Sequence, residues 1–201
     1  MPLTLGARSL VRVGVAAVLG ALAVGCGKQE PPVPPPEPLV EFSKRVDEYV
    51  ALHNRLAEKV GPIDETKSQA EIAARATTLA HLIKTERANA KQGDIFTPEV
   101  AALLTAIVQR ENSGQTPLVQ EGREEAEQEH RSDGLGDFVP QVNELWPTAY
   151  PLPTFPATLM PLLPKLPPEV EYRIMTHYLI LRDVEANLIV DFIPRVLPVG
   201  G

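Results

Sequence analysis

The chain has 201 residues, a net charge of −7 and a single cysteine. The acidic balance argues against non-specific binding to nucleic acid and against anionic lipid headgroups as an electrostatic partner. One cysteine excludes an internal disulfide, and an aromatic content of 5% means that the core is built mainly from Leu, Val, Ile and Ala. The length fits one domain, or one domain with a tail.

Residues 1–25 have the three parts of a secretory signal peptide. Arg8 and Arg12 give a positively charged start, and residues 13–24 are an apolar run of Val, Ala, Leu and Gly. A helix of that length spans about 18 Å, against about 30 Å for a bilayer core, so the run suits a cleaved signal better than a transmembrane helix. Gly25 suits the small position before the cleaved bond.

The segment 22–26, Leu-Ala-Val-Gly-Cys, resembles the lipobox of bacterial lipoproteins, with Ala23 where that family usually has Leu. The resemblance implies a diacylglyceryl group on the sulfur of Cys26, cleavage between Gly25 and Cys26, and acylation of the new amino group, which would anchor the chain permanently. Gly27 in place of Asp favours the outer membrane by the same resemblance. The alternative is an ordinary signal peptide that leaves Cys26 as a free thiol.

Residues 26–38 follow as a tether, with six prolines between positions 31 and 38. Such a sequence favours extended polyproline II geometry at about 3.1 Å per residue, and therefore a stiff spacer between the lipid and the folded part. A ligand for a proline-recognition domain is the less favoured interpretation.

Residues 39–134 form the predicted helical region. The first helix, 39–60, has an apolar stripe at spacings of three and four that Gly61-Pro62 ends, namely Leu39, Phe42, Val46, Tyr49, His53, Leu56 and Val60. The second begins at Asp64 or at Ser68, where Ser68 and Glu71 have capping-box spacing, and Gly93 suits its end. Its stripe is Ile72, Ala76, Leu79 and Ile83, with Ala73 and Ala80 alongside. A short turn between the two predicts an antiparallel hairpin.

Thr97-Pro98-Glu99 predicts the start of a third helix, because it offers an N-cap, a proline in the first turn and an acid beside the helix N-terminus. Its buried face would be Val100, Leu103, Leu104, Ile107 and Val108. Residues 116–131 could form a fourth helix that is exposed or only partly ordered, since the segment is rich in Glu.

The composition of the sequence changes over residues 135–201. Nine prolines lie between Pro140 and Pro168, which excludes long helices and central strands there. We expect this apolar, proline-rich stretch to wrap the helices in extended pieces and single turns, with Trp146 and Phe155 packed inside.

Residues 170–193 are rich in β-branched and aromatic side chains. They predict a three-stranded meander with turns at 176–177 and 184–187, and a single long helix is the alternative. The run Leu166-Pro167-Pro168, followed by Tyr172-Arg173 and two apolar runs, resembles the tail of small periplasmic proteins that end in a β-meander, such as the nickel–cobalt homeostasis family. The predicted fold class is therefore α+β.

Few residues suggest a metal-binding or catalytic role. His53 and His81 could meet across the helical hairpin and bind a divalent metal together with Glu48 or Glu86. The favoured alternative is a histidine hydrogen-bonded to a neighbour in the seam between helices. The acidic run 121–129 is better explained as a solvated helix face than as a cation site.

Three acids near the C-terminal strands, Asp183, Glu185 and Asp191, could in principle act as paired carboxylates, but acids at turns and strand edges are common. The sequence contains no nucleophile motif and no glycine-rich phosphate loop.

These observations predict a lipid-anchored protein of the cell envelope, in the cell membrane or outer membrane and facing the periplasm or exterior. The whole chain resembles uncharacterised envelope lipoproteins, which implies no activity. The leading function is a non-catalytic interaction or structural module, with the membrane as partner through Cys26 and an envelope protein as a further partner. No cofactor, metal, catalytic residue or nucleic acid is predicted. The alternatives are an envelope protein that binds a small molecule or a metal, and an unrecognised hydrolase.

Overall fold

A computed structural model describes residues 35–62, 68–114, 138–147, 152 and 155–197. The predicted signal peptide, Cys26 and most of the tether lie outside the described residues, as do the predicted fourth helix at 116–131 and the acidic run at 121–129. Three helices and a C-terminal antiparallel sheet make up the described part, so the predicted α+β class is confirmed. None of the helices within these ranges is long and apolar enough to cross a bilayer.

Helix α1 spans Glu37–Val60. It begins two residues before the predicted start, so the end of the predicted tether forms the first helical turn; proline is tolerated there because that turn needs no N–H partner. Five of the seven predicted stripe residues are buried: Phe42, Val46, Tyr49, His53 and Leu56. Leu39 and Val60, at the two ends, are only partly buried, and Val50 is buried although it was not predicted. At the other end Gly61 donates the last helical hydrogen bond to the Ala57 carbonyl, and its φ of 95° turns the chain out of the helix.

Helix α2 spans Gln69–Glu86, and Ser68 and Glu71 form the predicted capping box, each side chain accepting the other residue's backbone N–H. The helix ends seven residues before Gly93, so the predicted end was wrong: Gly93 lies in the following loop, where its N–H donates to Asp191. Only the second half of the predicted stripe is buried, at Leu79, Ala80 and Ile83. Ile72, in the first half, is 42% exposed.

The two helices form the predicted antiparallel hairpin. Arg75, early in α2, donates from Nε to the carbonyl of Gly61 at the end of α1, at 2.8 Å. Arg87, just after α2, lies 5.0 Å from the ring centre of Tyr49, in the middle of α1. Contacts made by successive α2 residues therefore run backwards along α1.

Helix α3 spans Pro98–Ser113, and the Thr97 hydroxyl accepts the N–H of Val100 as its N-cap. Its buried side chains are Val100, Leu104 and Val108, all members of the predicted face.

The C-terminal segment forms the predicted meander, which excludes the single long helix. Strands β1 (Val170–Met175), β2 (Tyr178–Asp183) and β3 (Leu188–Ile193) pair antiparallel in the order β1-β2-β3. The turns fall at 176–177 and 184–187, as the sequence indicated.

A bulge interrupts β3. Leu181 pairs with Asp191, but the next residue, Arg182, pairs with Ile189, so Val190 has no partner of its own on β2. Such an extra residue shifts the two-residue alternation of side chains by one. Val190 and Asp191 consequently both face the helices, Val190 in the helix-side core and Asp191 towards the loop between α2 and α3.

Both faces of the sheet are covered. One face packs on the helices through Leu179, Leu181 and Leu188, with Leu159 and Leu163 from the proline-rich segment. The other face forms a second, smaller core of buried side chains: Trp146, Met175, Tyr178, Ile180, Ile189 and Phe192.

The proline-rich segment differs from the prediction. Trp146 is buried as expected, but it covers the outer face of the sheet instead of the helices, because residues 143–146 hydrogen-bond along the free edge of β3. Three backbone bonds of 2.8 Å form this contact, including Trp146 N–H to the Asn187 carbonyl. Phe155 is half-buried and stacks on Tyr172 with ring centres 5.9 Å apart. Met160 is 66% exposed, so not all apolar residues of the segment are packed inside.

Candidate functional site

Asp183, at the end of β2, is the centre of a buried polar cluster. Its Oδ2 accepts a 2.6 Å hydrogen bond from the Tyr49 hydroxyl and lies 2.6 Å from His53 Nδ1, both on α1. Its Oδ1 accepts the N–H of Ala186 in the turn before β3, at 2.7 Å. Asp183 is 0% exposed and His53 1% exposed. Helix α1 and the end of β2, 130 positions apart, therefore meet at one carboxylate, which the turn before β3 also holds.

Glu185 and Arg75 cover the far side of the histidine. His53 Nε2 lies 3.5 Å from Glu185 Oε2, and the other oxygen of Glu185 pairs with the guanidinium of Arg75. The side chain of Arg75 is 11% exposed and that of Glu185 is 27% exposed. The pair lies between the imidazole and solvent at the end of the helical hairpin.

A buried carboxylate on Nδ1 fixes the ring orientation and tautomer of a histidine, as in enzymes that use histidine as a general base. A general base must also reach the proton it removes. In this structure Nε2 is occupied by Glu185 and the ring is sealed from solvent. The arrangement suits a clamp that joins α1 to the sheet, with Asp183 held by three partners, namely the Tyr49 hydroxyl, the His53 ring and the Ala186 N–H.

The hypothesis of a metal site across the hairpin, with His53, His81 and Glu48 or Glu86 as ligands, is not what the structure shows. His53 contacts Asp183 and Glu185, while His81 is exposed on α2. Glu48 pairs with Lys44 along α1, and Glu86 lies 3.7 Å from Arg55. Across the described ranges, no group of three or more His, Cys, Asp and Glu side chains has the arrangement of a metal site. The favoured alternative, a seam histidine bonded to a neighbour, is what the structure shows.

Asp191 makes a second buried carboxylate cluster that the sequence did not indicate. Its two oxygens accept four backbone N–H groups at 2.8 to 3.0 Å, from Gly93, Ile95, Phe96 and Phe192. Burial raises the pKa of the Asp191 carboxyl, and the four N–H donors oppose that rise. The side chain fixes the loop between α2 and α3 against β3. Asp183 and Asp191 are thus interior anchors, whereas acids at turns and strand edges are commonly exposed.

A small open cleft lies between α1 and the loop after α2. It has a volume of about 420 Å³ and a mixed lining that includes Arg45, Glu48, Glu86 and Arg87. Burial lowers the pKa of Arg87, whose guanidinium donates to Asn143 Oδ1 and to the Val190 carbonyl. Because Arg87 is held by these bonds, it stabilises the cleft wall and the contact between α2 and β3.

A larger groove lies beside β1. It has a volume of about 680 Å³, within the range of about 300 to 1,000 Å³ usual for ligand sites. Its lining includes four consecutive β1 residues, 170–173, whose side chains point alternately to the two faces of the sheet. A groove that touches all four must lie along the edge of the strand. We call it the β1 groove; its opposite wall is formed by Phe155 and by residues 160–161 and 164–168.

The β1 groove is apolar with a charged rim. Its apolar lining consists of Phe155, Met160, Leu166, Val170 and Tyr172 together with four prolines. Charged groups lie at the rim on the outer face of the sheet, where Glu171 accepts hydrogen bonds of 2.5 Å from both Arg173 and Arg182. Burial acts to raise the pKa of Glu171, but the two guanidinium donors outweigh it and the pKa is lowered.

Sequence reasoning missed the β1 groove, because a strand edge is defined only once the order of strands is known. Gly25 and Cys26, the predicted processing and lipidation residues, lie outside the described residues. Comparison with known proteins finds no family model, no curated protein and no solved structure that matches this chain.

Proposed function

We propose that this chain is a lipid-anchored protein of the cell envelope whose folded part is a non-catalytic interaction module. The observation that carries the proposal is the β1 groove, an apolar surface along a strand edge that is open to a partner. The anchor is supported by the lipobox-like segment 22–26, in which Cys26 is the only cysteine of the chain. The anchor would hold the module at the membrane surface.

The arrangement of the polar side chains supports an interaction role over chemistry. Asp183, His53 and Asp191 are buried and hydrogen-bonded to parts of the fold that are distant in sequence. Each contact joins one element to another. The groups best suited to acid–base chemistry, His53, Asp183 and Asp191, therefore stabilise the fold, and the accessible site is the apolar groove.

The anchor is tested by Cys26→Ser, with Ala23→Leu as a matched control that gives the segment the residue usual in lipoboxes. Mass spectrometry of the mature N-terminus should find an acylated cysteine in the parent and in the control. The Cys26→Ser variant should leave the membrane fraction or remain an uncleaved precursor. Maturation and membrane fractionation of Cys26→Ser like the parent would refute the anchor.

The interaction role is tested at the β1 groove with Met160→Glu, which places a charge in its apolar lining. The control is Val40→Glu, a similar change at a 54% exposed site on α1. Material that binds in stoichiometric amount to the parent chain from envelope extract should be lost with the groove variant and kept with the control. Equal binding by all three chains would remove the groove from the proposal.

A second candidate is a small apolar ligand in the same groove, which the volume of about 680 Å³ favours. Binding to the folded state alone stabilises it by RT ln(1 + [L]/Kd), so the melting temperature rises with the logarithm of ligand concentration once the ligand exceeds Kd. A melting-temperature screen with apolar compounds distinguishes the two functions, since Met160→Glu should abolish a ligand-induced rise in the parent chain.

A further inference from the structure

One long segment of the proline-rich region carries no charge. Residues 145–164 contain no Asp, Glu, Lys, Arg or His, although 22% of the chain is charged. Surface segments that meet only water usually have charged side chains interspersed among the apolar ones. The apolar side chains of this segment must therefore be buried in the fold, or lie at the surface without charged neighbours in sequence.

The structure shows both outcomes within one turn of the chain. Leu159 and Leu163 are 3% and 5% exposed and belong to the helix-side core. The N–H groups of Leu162 and Leu163 both donate to the Leu159 carbonyl, which closes the turn. Met160, Pro161 and Leu162 consequently project outward, with Met160 66% and Leu162 39% exposed. We call these three residues the apolar tip; consecutive exposed apolar residues of this kind usually mark a contact surface.

The apolar tip is attached to the first half of α1 through a stack of aromatic rings. Phe155 stacks on Tyr172 and Tyr172 stacks on Phe42, with ring centres 5.9 and 6.4 Å apart. The Tyr172 hydroxyl also donates to the Pro164 carbonyl at 3.2 Å. Phe42 lies in the second turn of α1. Because the tip lies between Phe155 and Pro164 in the chain, one tyrosine holds the segment on both sides of it.

The first half of α1 is also the half nearer the proposed anchor. The stretch from Cys26 to Pro35 spans at most about 32 Å, since an extended chain advances at most about 3.6 Å per residue. Helix α1 begins two residues later, at Glu37. An anchor within this reach makes any second contact with the bilayer intramolecular, so a few apolar side chains are enough to maintain it.

We propose that the apolar tip lies in the interface of the bilayer that holds the Cys26 anchor, so that the folded part contacts lipid at a second site. Met160 and Leu162 enter the boundary between headgroups and acyl chains. Lys165, exposed directly after the uncharged segment, keeps its ammonium among the headgroups on a flexible stem. The lipid is zwitterionic, because a net charge of −7 opposes anionic headgroups.

The inference rests on the proposed anchor and gives the outer wall of the β1 groove, which Met160 and Pro161 help to form, the lipid surface as its partner. Protein interfaces surround their apolar centre with a polar rim that forms directional hydrogen bonds. The apolar tip has no polar side chain, and at the nearby rim Glu171 and Arg173 are hydrogen-bonded to each other. A lipid surface requires no directional bond, so it fits the tip better than a protein does.

The test measures whether a tryptophan at the tip touches acyl chains. The full acylated chain is reconstituted in vesicles of phosphatidylcholine and phosphatidylethanolamine, with the phosphatidylcholine brominated on its acyl chains to quench tryptophan on contact. Met160→Trp and Leu162→Trp place the probe at the tip. Ile72→Trp is the matched control, since Ile72 is 42% exposed near the start of α2, where Arg75 bonds Gly61 at the far end of α1.

We expect brominated lipid to remove about half or more of the emission added by Met160→Trp and by Leu162→Trp, and almost none of that added by Ile72→Trp. Trp146 emits in every chain, so the parent supplies the background to subtract. Thermal unfolding followed by circular dichroism checks that each variant is folded. Two probes at the tip keep the test valid if one of them fails to fold.

Tip probes that are no more quenched than Ile72→Trp would overturn the inference, as would equal quenching at all three positions. If acylated chains remain in the vesicles with the tip unquenched, the anchor stands and the second contact is refuted. Capture of an envelope protein that Met160→Glu abolishes, together with an unquenched tip, would give the β1 groove a protein partner in place of lipid. A mature chain without acylation would refute the anchor, and the inference with it.

Discussion

His53 and Asp183 are 130 positions apart in the sequence, and His53 Nδ1 lies 2.6 Å from Asp183 Oδ2. The contact joins the middle of α1 to the end of β2. It is buried on both sides, so its strength is not reduced by solvent in the way that a surface pair is. The helical hairpin and the sheet therefore depend on one another for stability.

Replacement of His53 by Leu should lower the free energy of unfolding by about 3 kcal/mol, because it leaves the buried Asp183 carboxylate with one fewer donor. Urea denaturation followed by circular dichroism measures the change. His81→Leu, at an exposed position on α2, should leave the unfolding midpoint unchanged. Equal stability of the two variants would contradict the clamp.

Removal of the Tyr49 hydroxyl by Tyr49→Phe should cost about 1 to 2 kcal/mol, since the ring stays packed and only the donor to Asp183 is lost. Burial and the adjacent Asp183 carboxylate raise the pKa of Tyr49, so the hydroxyl remains a donor at neutral pH. A double-mutant cycle with His53→Leu should be non-additive, because both side chains donate to one oxygen. Additive losses would show that the two contacts are independent.

Asp191→Ala should lower the free energy of unfolding by about 3 kcal/mol or more, because four backbone N–H groups lose their acceptor. Amide hydrogen exchange should show the loss locally, with faster exchange at Ile95 and Phe96. Asp47→Ala, an exposed acid on α1, is the control. Unchanged exchange at Ile95 and Phe96 would refute the anchoring role of Asp191.

Glu171 should give a defined pH dependence. Its pKa is lowered from the ordinary value of 4.5 by hydrogen bonds from Arg173 and Arg182, so the folded state favours the ionised form. The resulting stabilisation is present above pH 4.5 and is lost as the pH falls through the lower folded-state pKa. The melting temperatures of the parent and Glu171→Gln should therefore differ at pH 7, and the difference should shrink as the pH falls below 4.5. Glu58→Gln, exposed on α1, should follow the parent throughout.

Trp146→Ala should cost about 3 to 5 kcal/mol, because the indole is 3% exposed and fills the core on the outer face of the sheet. The neighbouring Leu145 is 45% exposed, so Leu145→Ala should change stability by no more than about 0.5 kcal/mol. Thermal unfolding of the two variants compares them directly. Similar losses would show that Trp146 does not form the outer core.

The helices and the meander could be predicted because their signals are local. Ser68 and Glu71 are three residues apart, the stripe of α1 repeats within each turn, and the turns at 176–177 and 184–187 separate runs of β-branched residues. The end of α2 was missed because Gly93 is held by Asp191, 98 positions away.

The interior roles of Asp183 and Asp191 could not be predicted for the same reason. Their partners come from α1 and from the loop between α2 and α3, and the sequence does not show which elements meet. The position of Trp146 depended likewise on which sheet edge residues 143–146 would join. Periodicity predicted the buried face of α1 and α3 and of the second half of α2, while contacts between distant segments determined the clusters around Asp183 and Asp191.

The unpaired Val190 has a consequence for anyone who redesigns this protein. A designer who regularised β3 by deleting that residue would leave Asp191 opposite Leu181 and still on the helix side. The deletion would remove a side chain that is 0% exposed in the helix-side core and the carbonyl that accepts a hydrogen bond from Arg87. In this molecule an irregularity of one residue supplies both a core valine and an acceptor for the arginine that follows α2.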